Sequence, residues 1–211
     1  QVEKDMCFVG LVGIIDPPRS AVAESIRKLK RAGIRVCMIT GDHPSTARYV
    51  AQKLHMIQSG SEKGSVLTGK DIDELVATNK LNSLTPFPRV FARVSPDNKI
   101  QIVKALQSQG EVVAMIGDGI NDAGAIKSSD VGVAMGQQST DVAKEAATII
   151  LADNNFTSIV EAVKEGRHTF DNIKIFVLYL LSCNFSELLL MFIAIASYAP
   201  IPFSPIQILW A

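Results

Sequence analysis

The chain has 211 residues, 47% of them hydrophobic and 20% charged, with 21 basic residues balanced by 21 acidic ones. That length suits one domain, or one domain with an appendage, and the composition excludes a disordered or fibrous chain. A net charge of zero leaves no basic surplus to neutralise phosphate backbones, so no nucleic-acid partner is expected.

In chain order, Phe8 to Ile15 is a short apolar run that reads as a strand, broken by Asp16-Pro17-Pro18. Ser20 to Ala32 carries apolar residues at helical spacing and stops at Gly33. Ile34 to Thr40 predicts a strand ending in Gly41-Asp42, and His43 to Leu54 a helix. Residues 58 to 70 read as a loop, Asp71 to Thr78 as a short helix, and Thr85 to Pro88 as a turn. Val90 to Val94 predicts a strand and Pro96 to Gln109 a helix with proline in its first turn, where proline is tolerated. Val112 to Ile116 predicts a strand ending in Gly117-Asp118-Gly119, followed by a helix over Asn121 to Ser128. A strand over Val131 to Met135, a helix over Thr140 to Ala147 and a short strand over Thr148 to Leu151 complete this part.

Strands that alternate with helices predict an α/β fold built on one parallel sheet with helices on both faces. From Phe156 to about Ala199 the pattern is helical. Residues 175–211 hold a single charged residue, Glu187, while Ser158 to Lys174 is amphipathic and charged. The segment Ile175 to Ala196 is long enough to cross a bilayer, for which about 20 apolar residues suffice. Pro200, Pro202 and Pro205 mark a turn, and Ile206 to Ala211 begins a second apolar segment, as in a membrane hairpin. The expected division is 1–155 for the soluble domain, 156–174 for a stalk helix, 175–197 for a transmembrane helix and 198–211 for a loop and the start of another. The chain opens at Gln1 and stops inside an apolar run, so it reads as a fragment of a longer protein. Cys7, Cys37 and Cys183 are far apart and form no CxxC pair, which excludes a disulfide framework and predicts a reducing compartment for residues 1–174.

In parallel sheets, ligands bind outside the carboxyl ends of the strands. Here those ends carry Asp16, Thr40-Gly41-Asp42 and Gly117-Asp118-Gly119. Asp118, Asn121 and Asp122, with glycines that allow close approach, suit a hard cation such as Mg²⁺; helix capping by the same residues is the alternative. Thr40-Gly41-Asp42 suits a phosphate oxygen at a helix start, or a simple cap. Lys99 can meet a phosphate as a point charge, or be merely solvated. One lysine, one threonine and clustered aspartates at one sheet edge point to Mg²⁺-dependent phosphoryl transfer.

The stretches MITGDHPSTA (38–47), ARVSPDNKIQIVKAL (92–106) and MIGDGINDAGAIKSSDVGVAMG (115–136) resemble the phosphorylation domain of P-type cation-transporting ATPases. So do DPPR (16–19) and ADNNFTSIVEAVKEGRHTFDNIK (152–174). The resemblance implies a haloacid-dehalogenase-like fold, an aspartyl phosphate formed from ATP, and an integral membrane protein whose soluble part is cytoplasmic. It implies that Asp118 holds Mg²⁺, with Asn121 and Asp122 supporting the phosphate site. Thr40, Gly41 and Asp42 would lie at the aspartyl phosphate, Lys99 would neutralise the phosphate, and Asp16, Pro17 and Pro18 would form a hinge to the nucleotide-binding domain. The family's Asp-Lys-Thr-Gly motif is absent, so this stretch is not expected to turn over ATP without the actuator and nucleotide-binding parts of its polypeptide. Gly124 stands where the family usually has proline.

Asn184 and Glu187 are three apart on the apolar helix, hence on one face, and an intramembrane carboxylate reads as functional by default. The segment resembles the family's fifth transmembrane helix, where this pair coordinates the transported cation. Oxygen ligands and the closing PIPFSPIQILW favour Ca²⁺, as in calcium pumps; Na⁺ or another monovalent cation is the second reading, because the Asn/Glu pair also occurs in sodium/potassium pumps and the TGDHP and DPPR stretches resemble fungal-type sodium pumps. A reading of another class, a non-catalytic haloacid-dehalogenase-like binding module, is carried beside the pump.

Overall fold

The computed structural model describes residues 7–10, 12–13, 17–58, 66–136, 139–153 and 155–200. Two compact units emerge, Gln1–Val160 and Glu161–Ala211. The described residues of the first hold six strands and six α-helices: α1 (Ser20–Arg31), β1 (Met38–Ile39), α2 (Pro44–Lys53), β2 (Val66–Thr68), α3 (Gly69–Ala77) and β3 (Val90–Ala92). These are followed by α4 (Pro96–Ser108), β4 (Ala114–Gly117), α5 (Ala123–Ser128), β5 (Val131–Met135), α6 (Asp141–Ala146) and β6 (Ile149–Leu151).

Every strand pairing is parallel, as the alternation of strands and helices predicts, but the strands form two three-stranded sheets rather than one. Their orders are β1-β3-β2 and β4-β5-β6. Register runs Met38 to Val90 and Val66 to Val90 in the first sheet, and Ala114 to Val131 and Val133 to Ile149 in the second. The two sheets share a core. Ile39 of β1 packs on the group around Phe91, Ile72 and Ile102, and also on the group around Val103, Met115 and Ile126. Helix α4 serves both groups, giving Ile102, Ala105 and Leu106 to the first and Val103 to the second.

Three expectations change. β1 is two residues long instead of reaching from Ile34 to Thr40, because its neighbour β3 begins only at Val90, just past the Pro86–Pro88 turn. Val66–Thr68 is a strand inside the stretch read as loop; it pairs with Val90–Ala92 and leads into α3 through a capping box between Thr68 and Asp71. The described residues of the Phe8 to Ile15 run carry no strand, and Phe8, Val9 and Val12 are exposed: no neighbouring strand supplies a hydrogen-bonding edge among the described residues.

Helix α7 (Thr157–Ala196) runs for 40 residues, begins in the first unit and makes up most of the described second unit. It is long and apolar enough to cross a membrane. Its large apolar side chains from Ile173 to Ile195 are largely exposed.

Candidate functional site

The carboxyl ends of β1 and β3 are laced together by backbone hydrogen bonds. Phe91 O accepts from Thr40 N (2.9 Å), Thr40 O from Val94 N (3.2 Å), and Asp42 O from Arg93 N (3.0 Å). Within the turn the Thr40 hydroxyl accepts from Asp42 N at 3.1 Å. That leaves its own O–H free to donate outward. His43 then caps α2, its Nδ1 accepting from Ser45 N at 3.3 Å. The Thr-Gly-Asp stretch therefore forms a fixed turn before the helix rather than the cap itself.

After β3 the chain passes Arg93, whose φ is +52°, and enters α4 at Ser95. The strained residue aims the helix start back over the strand ends. Lys99 sits in the first turn of α4. Its Nζ lies 2.6 Å from Asp122 Oδ1, and both side chains are only 13% exposed.

Asp122 closes the turn after β4. Residues Ile120–Asp122 form one 3₁₀ turn leading into α5, and Asp122 Oδ2 accepts from Gly119 N at 3.4 Å. Gly117 makes the geometry possible: a Cβ there would stand 2.5 Å from Asp122 Cβ. Asp118 is exposed, and its backbone carbonyl accepts from Thr140 N at 3.0 Å, which ties the loop to the start of α6. Asn121 is exposed beside it. Gly124 accommodates Ile100, whose Cδ1 would be 2.9 Å from an added Cβ; the glycine thus admits a neighbouring side chain as well as loosening the helix start.

The structure joins Lys99 to Asp122 and sets Thr40, Asp42 and Asp118 at the carboxyl ends of parallel strands. Among the described residues it gathers no group of three or more acidic, histidine or cysteine side chains able to enclose a metal. Asp118 offers a hard oxygen donor of the kind Mg²⁺ takes, while Asp122 is committed to Lys99. The residues present therefore fit one side of a Mg²⁺ site, not a complete cage. Asp16 lies outside the described residues, as do residues 201–211; Pro17 and Pro18 are irregular chain before α1. The direct Lys99–Asp122 pair was not foreseen, since nothing local marks a contact 23 residues apart.

In the second unit, Asn184 and Glu187 lie on α7. Glu187, Met191 and Ala194 are less exposed than the residues around them and follow one face of the helix.

Residues 3–130 match the model of the haloacid dehalogenase-like hydrolase family, and residues 99–163 match a second model of the same description. The chain is 48% identical over 210 residues to a calcium-transporting ATPase of Bacillus subtilis, covering all of this chain and 23% of that one. It is 44% identical over 205 residues to the human calcium-transporting ATPase type 2C member 1, covering 97% of this chain and 22% of the relative. Among solved structures, the catalytic domain of the CPx-ATPase CopB-B matches with a TM-score of 0.51 and 26% identity, over 70% of this chain and 46% of that one. The chain thus spans less than a quarter of the length of these calcium-transporting relatives. Parallel strands with Asp118, Asp122 and Lys99 at their carboxyl ends agree with that family match, and the chain belongs to the haloacid dehalogenase-like hydrolases.

Proposed function

We propose that the chain is the phosphate-handling and ion-path portion of an ATP-driven pump that works through an aspartyl phosphate and moves Ca²⁺ across a lipid bilayer. The observation that carries this reading is Lys99 held 2.6 Å from Asp122 beside Asp118 at the strand ends, in one chain with a 40-residue helix whose second part is apolar. The names of the relatives, calcium-transporting ATPases, support Ca²⁺ over a monovalent cation and an enzyme over a binding module.

In this reading Lys99 shares its charge between Asp122 and a phosphoryl oxygen, and so offsets charge that builds during transfer. The Thr40 hydroxyl donates to a second oxygen, with Gly41 and Asp42 keeping its turn in place. Asp118 and, less directly, Asn121 and Asp122 hold Mg²⁺, which when bound neutralises phosphate charge. The phosphorylated aspartate, in an Asp-Lys-Thr-Gly motif, lies elsewhere in the same polypeptide, and ATP is bound by its nucleotide-binding part, reached through the Asp16-Pro17-Pro18 hinge. Residues 1–155 form the C-terminal part of the phosphorylation domain, 156–174 the stalk and 175–197 the span, with the soluble part cytoplasmic and 198–211 leading to the next span. Asn184 and Glu187 supply neutral and charged oxygens to the cation, as Ca²⁺ requires.

Asp118→Asn in the full-length protein tests the assignment. It is expected to abolish Mg²⁺-dependent phosphorylation from ATP; undiminished phosphoenzyme at ordinary Mg²⁺ refutes it.

A further inference from the structure

Among the described residues three polar side chains are buried, and one of them, Asn98, lies next to Lys99. Asn98 is 3% exposed, and a polar group so placed costs stability unless it is bonded. Its Oδ1 accepts from Ser95 N (3.1 Å) and from the Ser95 hydroxyl (2.8 Å), while its own backbone N donates to Ser95 Oγ (3.2 Å). That is a capping box, and a box needs only an acceptor at this position. The Nδ2 does something further: it donates to Asp73 Oδ1 at 2.6 Å, across 25 residues, onto helix α3.

Helix α3 is anchored against the same junction. Its start is fixed by the Thr68–Asp71 box, and an added Cβ at Gly69 would stand 2.5 Å from Arg93 O and 3.1 Å from Asn98 Oδ1. The first turn of α3 is therefore pressed onto the β3–α4 connection at the point where Arg93 turns the chain. Such close seating is needed for a helix whose next residue must deliver Nζ to Asp122, since groups of this kind work within about 0.5 Å of their productive position.

We infer that Asn98 and Asp73 form a positioning pair that fixes the start of α4 and so directs Lys99 at the phosphate site. The inference rests on the proposed function, which puts Lys99 at a phosphoryl oxygen, and it makes α3 part of the site's support.

The test is phosphorylation of the full-length protein from inorganic phosphate with Mg²⁺ and without the transported cation, read as the half-saturating phosphate concentration. Asn98→Asp keeps the acceptor of the capping box but sets a carboxylate against Asp73. It is expected to raise that concentration about tenfold, the scale of one lost charge-assisted hydrogen bond. Adding Asp73→Asn restores a donor from the other side, and the double variant is expected to return to within about threefold of the parent. If Asn98→Asp does not fold, Asp73→Ala removes the distant partner with the box intact, and a rise of about threefold is expected. A lowered thermal midpoint with unchanged half-saturating phosphate, or a double variant no better than Asn98→Asp, overturns the inference. Lys99→Ala serves as the reference: if it leaves half-saturating phosphate unchanged, the phosphate-site reading fails, and the positioning role with it.

Discussion

Replacing Gly117 with alanine tests the architecture of the Asp122 turn more sharply than removing any charged group. The new Cβ would meet Asp122 Cβ at 2.5 Å and Cγ at 2.7 Å. An ordinary contact begins near 3.4 Å, so Asp122 must retreat by about 0.9 Å, the gap between those two distances. The 2.6 Å bond to Lys99 Nζ would then lengthen to as much as about 3.5 Å if the retreat runs along it, beyond hydrogen-bond range. If Asp122 yields, the loss is that of a charge-assisted bond in a largely buried setting, about 1.5–3 kcal/mol; if it resists, overpacking costs about 1–3 kcal/mol. Either route gives about 2 kcal/mol. With a urea slope of about 2 kcal/mol per molar, the unfolding midpoint is expected to fall by about 1 M. Gly119→Ala is the matched control, because its Cβ would meet Asp122 Oδ2 at an ordinary 3.4 Å. Urea titrations of both variants in detergent, followed by far-ultraviolet circular dichroism, check the difference. Equal midpoints for Gly117→Ala and Gly119→Ala would refute the packing argument.

Asp130 accepts from Val113 N at 2.8 Å, and that backbone bond, helped by Gln107, holds its carboxyl below the usual carboxylate range. A depressed folded-state pKa contributes stability above the unfolded value of about 3.9 and loses it as pH falls through the folded value. Asp130→Asn should therefore lower the thermal midpoint near pH 6, with the difference from the parent narrowing as pH falls below the ordinary carboxylate value; parallel curves across that window contradict the bond's role. In the full-length protein, Glu187→Gln is expected to weaken cation binding and cation-triggered phosphorylation from ATP, while phosphorylation from inorganic phosphate stays largely intact. Unchanged cation affinity in a direct binding measurement would make Glu187 a structural residue.

Local signals were readable wherever the chemistry is local. The span of β5 matches the apolar run Val131 to Met135, and Pro96 announces the start of α4. The Gly117-Asp118-Gly119 stretch follows its strand as its composition implies. What failed depended on neighbours distant in the chain. Val66-Leu67-Thr68 is too short to stand out from its polar surroundings, and becomes a strand because Val90–Ala92 offers it an edge. The described residues of the Phe8 to Ile15 run have strand composition, but hydrogen-bonded strands require a partner, and none pairs with them among the described residues. A single sheet was expected from the alternation of elements, yet alternation fixes only the direction of strands, not which edges meet. Likewise Lys99–Asp122 and Asn98–Asp73 join helices to elements 23 and 25 residues away, and no periodicity encodes such pairs.

Helix α4 belongs to both packing groups, through Ile102, Ala105 and Leu106 on one and Val103 on the other. In an opening hierarchy this gives it a particular rank. Loss of the β1-β3-β2 half would still leave α4 seated on Met115 and Ile126, and loss of the β4-β5-β6 half would leave it on Phe91 and Ile72. Its amides would then exchange with solvent only when both halves open together, so α4 should report the global unfolding free energy while each sheet reports a smaller, subglobal one. Lys99 rides on that helix, so an opening of either half would leave the lysine's own segment seated while parting it from Asp122 on one side or Asp73 from Asn98 on the other.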